Sequence, residues 1–401
     1  MIFFIFGAVL SNRVIMIDRL EQKFKEVFGQ ERQRIFFAPG RVNLIGEHID
    51  YNGGLVMPCG ITFGTYVLTA PNKEGIFRFR SANFDDKLDI EIRQSYTKDG
   101  KNWYYYPLAV IHYFLQEGKM LKGVDFLFYG NLPIGAGLSS SASIETVTAF
   151  ALNTLFDAGY SKLDLVKLNK RVENDFIGVN SGIMDQFAVT FAEKNKALKL
   201  NCDTLDYEAV DSHLGSHLLV IINTNKPRSL AESKYNERVE ECSSALKALS
   251  SELKIDNLCD LDSATFEQHS NLIHNNVVRN RAKHVVEENE RVKDAARALA
   301  ANDLAEFGRL MYASHYSLQH LYEVSGKELD TIVEFCSTAK GVTGARMTGA
   351  GFGGCAIALV EEDEFENFRE KLIAFYTQRI GYAPDVYSSA IGDGVRELSS
   401  L

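Results

Sequence analysis

The residue types best suited to holding an anion are gathered in Leu132-Pro133-Ile134-Gly135-Ala136-Gly137-Leu138-Ser139-Ser140-Ser141-Ala142-Ser143. A proline and two glycines open this loop, three serines close it, and a helical pattern starts at once. A helix N-terminus offers backbone N–H groups with no partner inside the helix, and with the helix dipole they attract negative charge. Glycine permits close approach and left-handed dihedrals, while serine adds hydroxyls for a phosphate or a metal. It is not a Walker loop, since no Gly-Lys-Ser/Thr follows the glycines. A Gly/Ser turn with a serine cap accounts for the same residues equally well.

Three further segments carry chemistry. Gly40-Arg41-Val42-Asn43-Leu44-Ile45-Gly46-Glu47-His48-Ile49-Asp50-Tyr51-Asn52-Gly53-Gly54 crowds Arg, Glu, His and Asp between an apolar strand and an Asn-Gly turn. Such density suits a sugar, which needs several fixed donors and acceptors, although a solvated hairpin tip is the bland alternative. Asn52-Gly53 predicts a tight hairpin, with the strand returning from Val56. Gly178-Val179-Asn180-Ser181-Gly182-Ile183-Met184-Asp185-Gln186-Phe187 sets a carboxylate after a glycine turn, where it is either a base or ligand at a cleft edge or an N-cap for Gln186–Phe191. Glu173 lies near the end of the preceding predicted helix, Lys162–Phe176. The last segment is Met347-Thr348-Gly349-Ala350-Gly351-Phe352-Gly353-Gly354.

The elements that must position these segments follow from pattern. A chain of 401 residues with ordinary apolar and charged fractions predicts about two globular domains. A net charge of −10 argues against an extended nucleic-acid surface or an anionic membrane. Six dispersed cysteines without a CxxC pair fit reduced thiols in a cytoplasmic protein, and no HExxH is present. The opening run MIFFIFGAVL is shorter than the ~20 residues of a membrane span and lacks the basic start of a secretory signal. Residues 1–15 are therefore expected to be a non-native or mis-assigned extension ahead of a start at Met16, with an amphipathic helix from Ile17 to Gly29. Strands at Arg34–Ala38, Thr65–Thr69, Phe77–Arg80, Leu88–Ile92 and Val124–Tyr129 make the first part mostly β. The aromatic run Trp103-Tyr104-Tyr105-Tyr106 at a helix start reads as core or as a stacking surface for a planar base. Helices dominate the second half, which closes with strand, helix and strand in an α+β layer.

The four segments, in this order, resemble the GHMP small-molecule kinases, and the galactokinase family in particular. GRVNLIGEHIDYNGG resembles the galactokinase signature, GLSSSAS the family phosphate loop, GIMDQF the catalytic-aspartate segment and MTGAGFGGC the third motif. Ile49 departs from the threonine usual there. The resemblance implies an α+β fold of two domains: a mixed β-sheet, ribosomal S5 domain 2-like N-terminal domain over residues 16–187, and a helix-rich domain over residues 188–401, with the active site between them. It also implies ATP-dependent phosphorylation of galactose at C1, with magnesium.

By motif match, Asp185 and Arg41 are the catalytic pair. Glu47, His48, Ile49, Asp50, Gly182, Asp185 and Tyr235 surround the sugar. Gly135, Ala136, Gly137, Leu138, Ser139, Ser140 and Ser141 wrap the nucleotide phosphates. Ser81, Trp103 and Tyr106 match positions lining the adenine pocket, and Ser141 and Glu173 hold Mg2+. The expected partners are galactose and ATP, with no nucleic acid or membrane, and a monomer is expected. Kinases for N-acetylgalactosamine, galactosamine or arabinose are near alternatives. A non-catalytic galactose sensor is disfavoured, because Ser141-Ala142, Asp185 and Arg41 are intact.

Overall fold

The structure, a computed structural model, describes residues 2–133, 135–179, 182–226 and 231–399, with backbone alone for 2–13 and 231–233. Ile134, Asn180 and Ser181, assigned to loops from the sequence, lie outside the described residues, as does Met1.

Alternation organises the first layer. In the strand Arg34–Asn43, Phe36 and Ala38 face one apolar cluster while Ile35 and Phe37 face another, the two-residue period of a strand buried on both sides. Helices Tyr105–Gln116, Ser140–Phe156 and Lys162–Arg171 pack on the Phe36 side. On the other side Ile17, Leu20 and Phe24 cover Ile35, Phe37 and Leu68. Their helix runs over Ile2–Phe28, so it begins well before the Ile17 expected from the amphipathic pattern. No helix of the described residues is long and apolar enough to cross a membrane.

This sheet has seven strands in the order Arg396–Glu397, Arg34–Asn43, Pro58–Pro71, Val124–Gly130, Ile76–Ser81 and Leu88–Glu91, with Ile391–Gly392 also pairing Pro58–Pro71. Two of its strands thus come from the last residues of the chain, and a single cut at 187/188 does not separate the layers. A physical reason lies at the edge: Arg34–Asn43 would otherwise expose unpaired backbone groups, and the returning chain covers those at Phe36 and Phe37. A second, four-stranded antiparallel sheet runs Val342–Thr348, Cys355–Glu361, His217–Asn223, Asp385–Ser389. A small third sheet joins Leu55–Val56 to Lys196–Asn201 and Tyr207–Asp211. One continuous apolar core reaches from Val42, Leu44 and Val56 to the helices of the second half. The interface between the halves is therefore broad and packed.

Candidate active site

The polar segment after Arg34–Asn43 does not form the tight hairpin expected. The chain does return, pairing Asn43 with Pro58, but residues 44–57 between them form a broad loop with a 3-10 turn at Asp50–Asn52 and a left-handed Gly53. Within it His48 has φ +63°, an uncommon conformation for a residue with a side chain. The loop is held from the far half of the chain. Glu288 accepts from the Gly46 N–H at 3.0 Å, and Asn289 from the Leu55 N–H at 2.9 Å.

Glu47 is buried and receives Asn43 Nδ2 at 2.7 Å, Arg346 at 2.7 Å, the Gly349 N–H at 2.7 Å and the Thr348 hydroxyl at 3.2 Å. Burial pushes its carboxyl up from the ordinary range, and the Arg346 charge opposes that. Arg346 itself is fully buried, standing also near Glu288 at 3.8 Å. Burial alone would raise Glu288, yet Arg291, His284 and Arg346 bring it down to about 2. The Met347 glycine motif is thus the clamp of the sugar-type loop. Arg346, one residue ahead of that motif, was missed because a lone arginine in a strand pattern gives no signal of its partner.

His48 is neutral, its pKa lowered to about 3 by burial. The Ala350 carbonyl, 3.1 Å from Nε2, can only accept, so Nε2 carries the proton and Nδ1 accepts from the Tyr51 hydroxyl at 2.9 Å. Tyr51 continues to Tyr322 at 2.8 Å and Tyr322 to Cys242 at 3.1 Å, which fixes the ring. Tyr235 lies against both His48 and Tyr51, with ring centroids 5.6 and 5.3 Å away. Asp50 is pushed up to about 6 by burial and by the neighbouring Asp185. A Cβ at Gly182 would come within contact of the Asp50 carboxylate, so a side chain there would displace it. The Ile49 side chain is fully buried in the core and its carbonyl accepts from the Asn52 and Gly54 N–H groups, so only its backbone N–H is left for the ligand role expected of it.

Asp185 is the second residue of the helix Met184–Phe191, so it is not the N-cap, which is Ile183. One of its oxygens receives Arg41 Nε at 2.8 Å and a second Arg41 nitrogen at 2.7 Å; the other accepts the Ser139 hydroxyl at 2.5 Å. The remaining Arg41 nitrogen donates to the Gly137 carbonyl at 2.8 Å. Arg41 reaches the loop because the strand shifts register between Pro39 and Arg41, where a Cβ at Gly40 would collide with the Leu138 carbonyl and the Leu132 side chain.

Gly135, Gly137 and Ser139 alternate in left-handed conformations, φ +72°, +74° and +60°. Ala136 and Leu138 turn into the core, leaving backbone to face out ahead of the helix starting at Ser140. Ser139 occupies the N-cap position without capping. Its hydroxyl belongs to Asp185, so its expected share in a phosphate wrap reduces to backbone. Ser140 is exposed and Ser141 half-buried.

Glu173 sits in a π-helical turn, Val172–Ile177, that interrupts the single helix expected, a distortion frequent at functional sites. Tyr106 and the fully buried Glu145 stand in its electrostatic field. Among the described residues no group of three or more His, Cys, Asp and Glu is packed tightly enough to hold a metal alone. The donors present suit Mg2+, which takes hard oxygens and is usually held by one or two carboxylates together with phosphate and water. Both Glu145 carboxylate oxygens are buried without a hydrogen-bond partner among the described residues.

Ser81 caps its own turn by accepting from Asn83 and Phe84. Trp103 packs edge-on against Phe128 and donates to the Asp86 carbonyl at 3.2 Å. Both remain partly exposed. Burial, with the charges of Glu145 and Glu173, raises the Tyr106 hydroxyl above its ordinary range.

Arg41, Glu47, His48, Asp50, Gly182, Asp185 and Tyr235 converge on a cavity of about 560 Å³, closed by Gly349 and Ala350. Residues 22–71 match the galactokinase galactose-binding signature, 105–193 the GHMP kinase N-terminal domain and 295–378 the GHMP kinase C-terminal domain. A galactokinase of Streptococcus mutans is 49% identical over 385 residues, covering 95% of this chain and 99% of the relative.

The chain belongs to the galactokinase family.

A second galactokinase-family relative, from Clostridium tetani, is 47% identical over 95% of this chain and 98% of its own length. The crystal structure of Lactococcus lactis galactokinase complexed with galactose superposes with a TM-score of 0.91 at 44% identity, covering 96% of this chain and all of that one. The Methanococcus jannaschii mevalonate kinase structure, at a TM-score of 0.69 and 19% identity over 90% of this chain, shares the wider GHMP fold.

Proposed function

We propose that this protein transfers the γ-phosphoryl group of ATP to the C1 hydroxyl of α-D-galactose, giving galactose 1-phosphate and ADP. The observation carrying the reading is the Arg41–Asp185–Ser139 cluster, which ties the wall of the polar cavity to the glycine-serine loop. A phosphoryl acceptor in the cavity and a phosphate chain on the loop would meet at Asp185.

Glu47 and Asp50 accept from sugar hydroxyls, while neutral His48 and Tyr235 shape the wall around them. Asp185 receives the C1 hydroxyl proton or orients that hydroxyl for in-line attack. Arg41, shared by Asp185 and the loop backbone, spreads positive charge toward the equatorial oxygens of the transferring group. Gly135 to Ser141 cradle the phosphates with backbone N–H groups, and the Ser140 and Ser141 hydroxyls lie beside them. Ser141 and Glu173 would hold Mg2+, which supplies neutralisation of the β- and γ-phosphate charge. Trp103, with Ser81, is the candidate adenine wall. Because these groups position reactants and neutralise charge, small displacements of the sugar loop translate into lost rate.

Purified protein with Mg2+ and ATP is expected to consume ATP rapidly with galactose and much less with glucose, whose C4 hydroxyl is inverted. Equal rates on the two sugars would refute the pocket assignment, and a panel including N-acetylgalactosamine, galactosamine and arabinose tests the neighbouring substrates.

A further inference from the structure

Glu145 lies in the second turn of the helix Ser140–Phe156 and takes no part in the chemistry above. It has no solvent exposure, and neither carboxylate oxygen has a hydrogen-bond partner. An acid so placed costs several kcal/mol unless something charged or hydrogen-bonding meets it. Among the described residues no cation compensates it: the charges acting on it are Glu173 and Asp185, both acidic. Its position is informative too. Ser141 and Glu145 are four residues apart on one helix, so their side chains share a face. That face is at a helix N-terminus, whose dipole repels a cation. A metal held by Ser141 therefore gains from further negative charge, and Glu145, one turn along the same helix face, can supply it.

We propose that Glu145 is a second carboxylate of the cation site, accepting hydrogen bonds from metal-bound water behind Ser141 and Glu173. The inference rests on the kinase reading of Ser141 and Glu173. An outer position agrees with the absence of a three-acid cluster among the described residues, and with the water shell Mg2+ retains. Partners of this kind orient a site and typically change metal affinity by about 10–100-fold when removed. The competing arrangement is a permanently neutral acid, buried without any cation.

The test is Mn2+ binding to the full chain in the presence of ADP, followed by the electron paramagnetic resonance signal of free Mn2+. Glu145→Gln, an isostere, is expected to fold at least as stably as the parent and to bind Mn2+ about 10–100-fold more weakly, with metal-free ADP binding unchanged. Combined with Ser141→Ala, the two losses are expected to be less than additive, as for groups serving one shell. Should Glu145→Gln fail to fold, Glu145→Asp keeps the charge but withdraws it, and a smaller weakening is expected. Unaltered Mn2+ affinity in a folded variant overturns the inference while leaving the kinase reading intact. Absence of galactose-dependent ATP consumption by the wild type overturns the kinase reading instead.

Discussion

Replacing Arg346 by methionine isolates the clamp on the sugar-type loop. The side chain is wholly buried, 2.7 Å from Glu47, 3.2 Å from the Asn43 carbonyl and 3.8 Å from Glu288. Glu288 retains Arg291 at 2.7 Å, but Glu47 retains only the neutral donors Asn43, Thr348 and Gly349. Breaking a buried pair by removing one partner typically costs about 3–5 kcal/mol, because the other charge is left uncompensated. Removing both charges is far cheaper, so Arg346→Met with Glu47→Gln is expected to regain about 2–3 kcal/mol over Arg346→Met alone. Urea unfolding midpoints of the parent, both single variants and the double variant close the cycle. The KM for galactose should rise in Arg346→Met while the KM for ATP stays near the parent value. A cost under about 1 kcal/mol, or strictly additive variants, would refute the view that Arg346 charge-compensates and aims Glu47.

Asp185→Ala should abolish nearly all turnover while nucleotide binding persists; a loss of only about tenfold, or ~1.4 kcal/mol of barrier, would remove Asp185 from the centre of the reaction. Asp50 offers a pH test. Its folded pKa of about 6 lies above the ordinary 3.8, so its ionised form is penalised in the fold, fully above pH 6 and not at all below pH 3.8. Asp50→Asn should therefore stabilise the sugar-free protein at pH 8, by up to ~3 kcal/mol, and lose that advantage as pH falls toward 4. Urea midpoints at the two pH values check it, and equal differences at both would contradict the proposed burial penalty.

The polar loop, the glycine-serine loop and the aspartate segment were legible because their residue types are dense and local. Strand alternation likewise exposed most of the first sheet. What stayed hidden depends on pairings across long stretches of chain. Nothing near Glu47 announces Arg346, about three hundred residues away, and nothing near Ser139 announces that its hydroxyl turns to Asp185 instead of capping its own helix. Ile49 was legible only in part: sitting between His48 and Asp50 it reads as a ligand residue, but the turn sends its side chain into the core and leaves only backbone for that role. Glu145 drew no reading from the sequence, since burial without a partner is invisible in one dimension.

The strands Ile391–Gly392 and Arg396–Glu397, which complete the first sheet, impose a schedule on biosynthesis. At ~5–20 residues per second the ribosome needs roughly twenty to seventy seconds between finishing Arg34–Asn43 and releasing its covering strand. Through that interval the strand bearing Arg41 has an open edge, a template for pairing with other nascent chains. Chaperone demand during translation, and the yield of chains truncated before residue 391, should therefore depend on that edge more than on the stability of the finished fold.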